Sequence, residues 1–369
     1  MKQERKHVEY FDVLRLIAAL SVIYMHVASG MLREGMGLRW ELANLAVSFC
    51  FTAVPIFFMI SGYLLLSNER TRDVGQLRRR LPRILVPLFA WTIVSVCLTM
   101  FVHRDFSLTA FLEGMRAALQ TPAEVPYWYL YTLAAFYMIA PILAPGLQAL
   151  DRRGHRFVLA VIALIMAHSM LSALFPAFTE RWLSVDLLYK LKLFNGHLCA
   201  FILGYYLGKL PKKIPNLVLI AVLLATYAVI AAGTHIRTAA AGSFDETFYS
   251  QSGGFEVTQA ACVFLLAKQN IGKSPRILRP IVPLLMGVYL MHSIVLRIFS
   301  AFAFEPVSIQ GTVGITLLVF FVCSFAIKTV MSLKPFCYLF TGIRYDDACR
   351  SCNWQHTLKG GGRHAQDAQ

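Results

Sequence analysis

The chain has 369 residues, of which 57 % are hydrophobic and only 15 % charged, with a mean hydropathy of +0.59. This composition excludes an ordinary soluble domain, because aqueous proteins of this length do not carry long apolar runs from end to end. The formal charge of +15 does not predict nucleic-acid binding, since the basic residues concentrate in the connections on one side of the apolar segments.

Membrane spans are predicted wherever about 20 largely apolar residues follow one another, the length needed to cross a hydrocarbon core of about 30 Å. The sequence therefore predicts an all-α, polytopic membrane helix bundle of about ten transmembrane helices, of which the sixth and eighth are short. Residues 1–334 form the predicted membrane domain, and residues 335–369 a cytoplasmic, disordered tail. The predicted spans are 11–30, 46–66, 82–102, 127–149, 156–175, 194–210, 214–233, 254–268, 278–300 and 311–333.

The predicted orientation follows from the positions of lysine and arginine. When the N-terminus is assigned to the cytoplasm, every inner connection is basic, including the one with Arg78, Arg79, Arg80 and Arg83. The positive-inside rule then predicts cytoplasmic N- and C-termini for an even number of spans.

The eight cysteines predict neither a disulfide framework nor a metal site. Five of them fall in predicted spans, where cysteine behaves as a small apolar residue. Cys349, Cys352 and His356 lie close together, but three residues without a fourth ligand at finger-like spacing do not make a structural zinc site.

The first predicted span contains two ionisable residues, Arg15 and His26, eleven positions apart. Eleven steps of about 100° place both on one helix face, separated by about 16 Å along the axis. Asp12 shares that face and is a candidate partner of Arg15. Ionisable groups at membrane depth are costly and usually face a cavity or a partner, and histidine suits general-base chemistry. The alternative is that Arg15 reaches the lipid headgroups while His26 hydrogen-bonds a neighbouring helix.

Five elements in order resemble the membrane acyltransferase-3 family. The first is "YFDVLRLIAALSVIYMH", with Arg, ten residues and then His. The others are "VPIFFMISGYLLL", "LRRRLPRILVPLFAW", "YWYLYTLAAFYMIAPIL" and "GVYLMHSIVL". Each alone is weak, because apolar segments match easily, but five in the right order are a strong signal.

The resemblance implies an integral, multi-pass O-acyltransferase of a bacterial inner membrane. Such enzymes move an acyl group, commonly acetyl, from cytoplasmic acyl-CoA to a hydroxyl of a carbohydrate or lipid-linked glycan at the outer face. The implied partners are acyl-CoA as donor substrate, the glycan acceptor and membrane lipids, without a bound cofactor. By resemblance, His26 takes the position of the catalytic histidine and Arg15 that of the paired arginine.

Arg80 and Arg83 are the candidate acyl-CoA-binding residues. Arginine offers permanently charged donors that match phosphate oxygens, and both residues face the predicted cytoplasmic side. The alternative is that these arginines only set the topology and contact anionic lipids.

Two mechanisms remain open for His26. It either removes the hydroxyl proton as the acceptor attacks the thioester, or it takes the acyl group itself and passes it on. A carboxylate often orients a catalytic histidine, and the nearest candidates are Glu34, Glu41, Asp186 and Glu256.

Four further residues are candidates for supporting roles. His292, in the ninth span, is expected at the depth of His26, where it either stabilises an oxyanion or only packs. Trp128 and Tyr129, at the outer end of the fourth span, are expected as interface anchors or as rings that stack on a sugar. Ser61 is expected to link helices or support the site.

The rival function is a transporter or flippase for a glycan or small molecule that uses Arg15 and His26 as a path. The lack of a visible internal repeat counts against it, because many transporters are built from repeats. Release of free CoA in proportion to acceptor modified distinguishes the two classes.

Overall fold

The computed structural model describes residues 8–183, 196–302 and 308–352, and these residues are helical and contain no strand. The first half comprises α1 (Glu9–Ala28), α2 (Leu38–Cys50), α3 (Ala53–Leu66), α4 (Val74–Arg80), α5 (Pro82–His103), α6 (Leu108–Gln120), α7 (Trp128–Ala149), α8 (Arg152–Leu174) and α9 (Pro176–Trp182). The second half comprises α10 (Gly196–Lys209), α11 (Asn216–Ala241), α12 (Gly254–Asn270), α13 (Leu285–Ala301), α14 (Ile309–Ser332), α15 (Lys334–Thr341) and α16 (Tyr345–Cys352).

Eight segments of the described residues are long and apolar enough to cross a membrane, which confirms the all-helical polytopic class. Their ranges are Glu9–Ala28, Leu38–Leu66, Val74–His103, Val125–Ala149, Arg152–Leu174, Asn216–Ala241, Arg276–Ala301 and Ile309–Ser332. The sixth and eighth predicted spans correspond to α10 and α12, which have only 14 and 17 residues. The count of ten crossings and the cytoplasmic termini therefore stay predictions.

The second span is longer than predicted and is broken into α2 and α3. The break falls at Phe51 and Thr52, where the Thr52 hydroxyl donates to the Phe49 carbonyl at 2.8 Å. Pro55 explains the break, because its ring disturbs the carbonyl four residues earlier and it has no amide hydrogen to donate.

Two glycines let α3 and α10 approach closely. A Cβ on Gly62 would overlap the Phe201 carbonyl, and one on Gly204 would overlap the Met59 carbonyl. Small residues at such crossings allow backbone contact between membrane helices. This pairing holds α10 against α3, the second half of the second span.

One end of the bundle, which we call the basic end, gathers the start of α1, the ends of α3, α10 and α12, and the start of α5. The Ser274 amide donates to the Glu9 carboxylate at 3.0 Å, and Lys268 Nζ donates to the carbonyls of Leu207 and Leu210, each at 2.8 Å. These contacts join connections that the sequence assigns to one side of the membrane.

The structure corrects the expectation of disorder for the first part of the tail, because residues 334–352 form α15 and α16. The Trp91 indole on α5 donates to the Phe340 carbonyl at 3.0 Å, and Cys337 is fully buried. Pro335 lies in the first turn of α15, and Gly342 ends it in the left-handed region with φ +69°, both favoured positions for these residues. Residues 353–369, including His356, lie outside the described residues.

Candidate active site

His26 on α1 and His292 on α13 lie against each other inside the bundle. Their ring centroids are 5.4 Å apart, with the planes tilted by 41°. The sequence placed both at a similar depth, and the structure brings them into contact. Two imidazoles side by side form the centre of the candidate site.

The hydrogen bonding of His292 fixes which nitrogen is available. Its Nδ1 lies 2.6 Å from the Tyr289 carbonyl, and the residue is fully buried. A carbonyl only accepts, so Nδ1 carries the hydrogen and the neutral ring has its lone pair on Nε2. This Nε2 is buried and has no hydrogen-bond partner among the described residues. His292 can therefore accept a proton at Nε2, and its neutral form cannot donate there to an oxyanion.

Arg15 is held on the same face of α1, closer to the basic end. Its guanidinium lies 3.8 Å from Asp12, which is 1 % exposed, and 5.8 Å from the centre of the Phe11 ring. The hydroxyls of Tyr129 and Tyr137 are close enough to interact with it electrostatically. Asp12 and Arg15 thus pair as the spacing indicates, and Arg15 faces the tyrosines of α7.

A row of aromatic rings connects the surroundings of Arg15 with the histidine pair. Tyr129 lies 5.6 Å from Tyr289, and Tyr289 lies 5.7 Å from His292, between ring centroids. Phe57 on α3 lies against both tyrosines, at 5.8 and 6.3 Å. The row is a continuous aromatic wall along α3, α7 and α13.

The start of α7 lies inside the bundle, which corrects the interface-anchor interpretation of Tyr129. This residue is 6 % exposed and neighbours Ser61 on α3. Trp128 packs on the ring of His197 at 4.9 Å. Tyr129 and Ser61 therefore lie beside Arg15 and the aromatic residues next to the histidine pair, whereas Trp128 contacts His197.

Two reciprocal hydrogen bonds hold the turn Val125–Tyr127, which leads into α7, against the middle of α13. The Tyr127 hydroxyl donates to the Leu290 carbonyl at 2.9 Å, and the Tyr289 hydroxyl donates to the Pro126 carbonyl. Tyr127 is fully buried. These bonds set the position of Tyr289, which in turn supplies the carbonyl that orients His292.

A cavity of about 440 Å³ opens at the basic end, and four arginines line it. A narrower extension shares Arg80 and Tyr137 with it, and Arg80 also donates to the Thr71 hydroxyl at 3.2 Å. No acidic residue is among the described residues that line either part. The lining of the larger part is Leu64, Leu65, Gln76, Arg79, Arg80, Arg83, Ile84, Tyr137 and Arg344.

The cavity contains both predicted acyl-CoA-binding residues, Arg80 and Arg83, and adds residues that the sequence did not single out. Arg79 belongs to the same arginine run and could have been found there. Tyr137 and Arg344 carried no signal, since one looks like an ordinary aromatic of a span and the other falls in the predicted tail.

The carboxylate candidates do not orient the histidines. Glu34 is exposed, Glu41 binds His235 at 2.8 Å, and the buried Glu256 accepts from the Ser250 amide at 3.1 Å. Asp186 lies outside the described residues. Within the described ranges, no acidic side chain forms an ion pair or hydrogen bond with His26 or His292.

A family model described as an acyltransferase domain, Acyl_transf_3, matches residues 8–330. No curated protein matched the chain. No solved structure matched it either. The matched range extends from the start of α1 almost to the end of α14 and includes Arg15, His26, the arginine run and His292. The chain belongs to the membrane acyltransferase-3 family and is a membrane acyltransferase.

Proposed function

We propose that the protein is an O-acetyltransferase that takes the acetyl group of acetyl-CoA at the basic end and transfers it to a carbohydrate hydroxyl. The acceptor, with a lipid-linked glycan as the leading candidate, reaches His26 from the opposite face of the membrane. The observation that carries this proposal is the line of groups from the arginine cavity past Tyr137, Arg15 and Tyr129 to the histidine pair.

The arginine cavity suits the phosphate-bearing half of the donor. Its volume of about 440 Å³ lies in the range of small-molecule sites. Its arginines offer several permanently charged donors for phosphate oxygens. The positive-inside rule assigns this end to the cytoplasm, where acyl-CoA is found, and a bacterial inner membrane follows from the family resemblance.

The distance between Arg15 and His26 separates binding from chemistry. Helix geometry places them about 16 Å apart along α1, so one carbonyl group cannot touch both. Arg15 therefore binds the donor along its path, with Tyr129 and Tyr137 beside it. His26 and His292 act at the reacting carbonyl.

In the proposed reaction the acceptor hydroxyl gives its proton to an imidazole nitrogen of the histidine pair while its oxygen attacks the thioester carbonyl. The carbon–sulfur bond breaks, and the proton passes to the CoA thiolate. The products are the acetyl ester and free CoA, and both imidazoles return to their neutral forms. The buried Nε2 of His292 is a proton acceptor beside His26 in this step.

The test uses purified protein in detergent and acetyl-CoA labelled in the acetyl group, without acceptor. We expect slow release of CoA by the wild type and none by His26→Ala. His168→Ala should release CoA at the wild-type rate, because its exposed ring binds only the Leu183 carbonyl. Acetyl label retained on the wild-type protein would show that the mechanism proceeds through an acyl-histidine intermediate and not by direct attack.

The same experiment bears on the transporter alternative. The donor assignment is overturned if the wild type releases no CoA and CoA thioesters do not raise its melting temperature. In that case the path through Arg15 and His26 would be better explained by movement of a substrate.

A further inference from the structure

We propose that the segment after the matched family domain completes the donor cavity, and that Arg344 binds the 3′-phosphate of CoA. This inference rests on the proposed function, because it takes acyl-CoA as the donor. The family match ends at residue 330, whereas Arg344 lies in the turn between α15 and α16. A residue outside the common domain thus becomes part of the substrate site.

The position of Arg344 is the first observation. It lines the cavity of about 440 Å³ together with the arginines of α4 and the start of α5. Within the described residues, Arg79, Arg83 and Arg344 form no ion pair with an acidic side chain. Guanidinium groups gathered around one cavity repel each other, and an anion between them relieves that repulsion.

The attachment of the segment to α5 is the second observation. Gly342 has φ +69°, and a Cβ there would overlap the Arg83 carbonyl. Trp91 fixes the preceding turn through its bond of 3.0 Å to the Phe340 carbonyl. Backbone contact at Gly342 therefore places Arg344, two residues later, beside Arg83.

The shape of the cavity indicates which phosphate of CoA lies beside Arg344. Its narrow extension shares Arg80 and Tyr137 but not Arg83 or Arg344, and Tyr137 leads to Arg15. The thioester arm must pass Tyr137 and Arg15 to reach the histidines, which leaves the pyrophosphate near Arg80. The 3′-phosphate, at the other end of CoA, then lies in the wider part with Arg344.

The test measures binding of CoA and of dephospho-CoA, which lacks the 3′-phosphate, to the full chain in detergent by calorimetry. We expect Arg344→Gln to weaken CoA binding about tenfold, the loss of one charge-assisted contact. Its affinity for dephospho-CoA should equal that of the wild type. Arg279→Gln, an exposed arginine outside the cavity lining, should bind both ligands as the wild type does.

A second variant tests the attachment without changing the charge. Gly342→Ala should push the segment away from α5 and weaken CoA binding as Arg344→Gln does, whereas Gly314→Ala, with open space around it, should not. Equal CoA affinity of wild type and Arg344→Gln would overturn this proposal alone. Equal weakening for CoA and dephospho-CoA would overturn the phosphate assignment, and a wild type that binds neither ligand would overturn the proposed function as well.

Discussion

The carboxylate of Glu124 lies 2.6 Å from the guanidinium of Arg297, which is five residues after His292 on α13. The same carboxylate accepts from the Ser95 hydroxyl at 2.6 Å. Glu124 is 6 % exposed, whereas the Arg297 side chain is 36 % exposed. This ion pair therefore fastens the segment before α7 to the helix that carries His292, with α5 as the third member.

Replacing Glu124 by Gln should lower stability. The variant keeps the size of the side chain but removes the charge that two donors share, and we expect a loss of about 1–3 kcal/mol. The expected loss of stability is smaller than for a fully buried ion pair, because the Arg297 side chain is partly exposed to solvent. Thermal unfolding in detergent measures the effect, with the exposed Glu113→Gln on α6 as control. Equal melting temperatures for both variants would show that the pair contributes nothing.

Replacing His26 by Gln should abolish most of the transfer. General acid–base catalysis contributes about 10²–10⁴-fold, so the rate of CoA release should fall by at least about a hundredfold. The donor affinity should stay near that of the wild type, because the arginine cavity is at the other end of the path. A variant that kept more than half of the activity would remove His26 from the chemistry.

Replacing His292 by Asn separates the contributions of its two ring nitrogens. The Asn amide can still donate to the Tyr289 carbonyl, which now accepts from Nδ1 at 2.6 Å, but nothing replaces Nε2. We expect a fall in kcat of about 10–100-fold with an unchanged KM for the donor and a nearly unchanged melting temperature. Full activity in this variant would show that His292 only packs against His26.

The contact between α3 and α10 should tolerate no added methyl group. Gly62→Ala and Gly204→Ala each drive a Cβ into a backbone carbonyl of the partner helix, and we expect each to cost about 1–3 kcal/mol or more. Gly314→Ala on α14, which has open space around it, should leave the melting temperature unchanged. An unaltered melting temperature for Gly62→Ala would mean that the two helices can move apart freely.

The sequence predicted the parts of the site that depend on local helix geometry. The spacing of Asp12, Arg15 and His26 defines a face because an α-helix has a fixed rotation per residue, and the structure shows the Asp12–Arg15 pair at 3.8 Å. The depth of His292 followed from the direction of its span. Its contact with His26 did not, because the neighbours of a helix depend on packing.

Other parts depend on where the chain turns and were not predictable. Tyr129 looked like an interface anchor because a span was expected to begin at the membrane surface. The turn Val125–Tyr127 instead enters the bundle and carries α7 with it. Arg344 was hidden because the polar composition after the last span resembles a solvated tail, while its position depends on a backbone contact at Gly342.

The paired bonds between Tyr127 and Leu290 and between Tyr289 and Pro126 also bear on movement. Alternating access requires one group of helices to rock past another around the substrate. Such rocking between the turn Val125–Tyr127 and α13 would break both bonds. It would leave two buried tyrosine hydroxyls without hydrogen-bond partners in an apolar interior, which is costly. Transfer of a small group through a fixed scaffold does not require these bonds to break. The two bonds therefore suit this part of the bundle to stay in place while substrates bind and products leave.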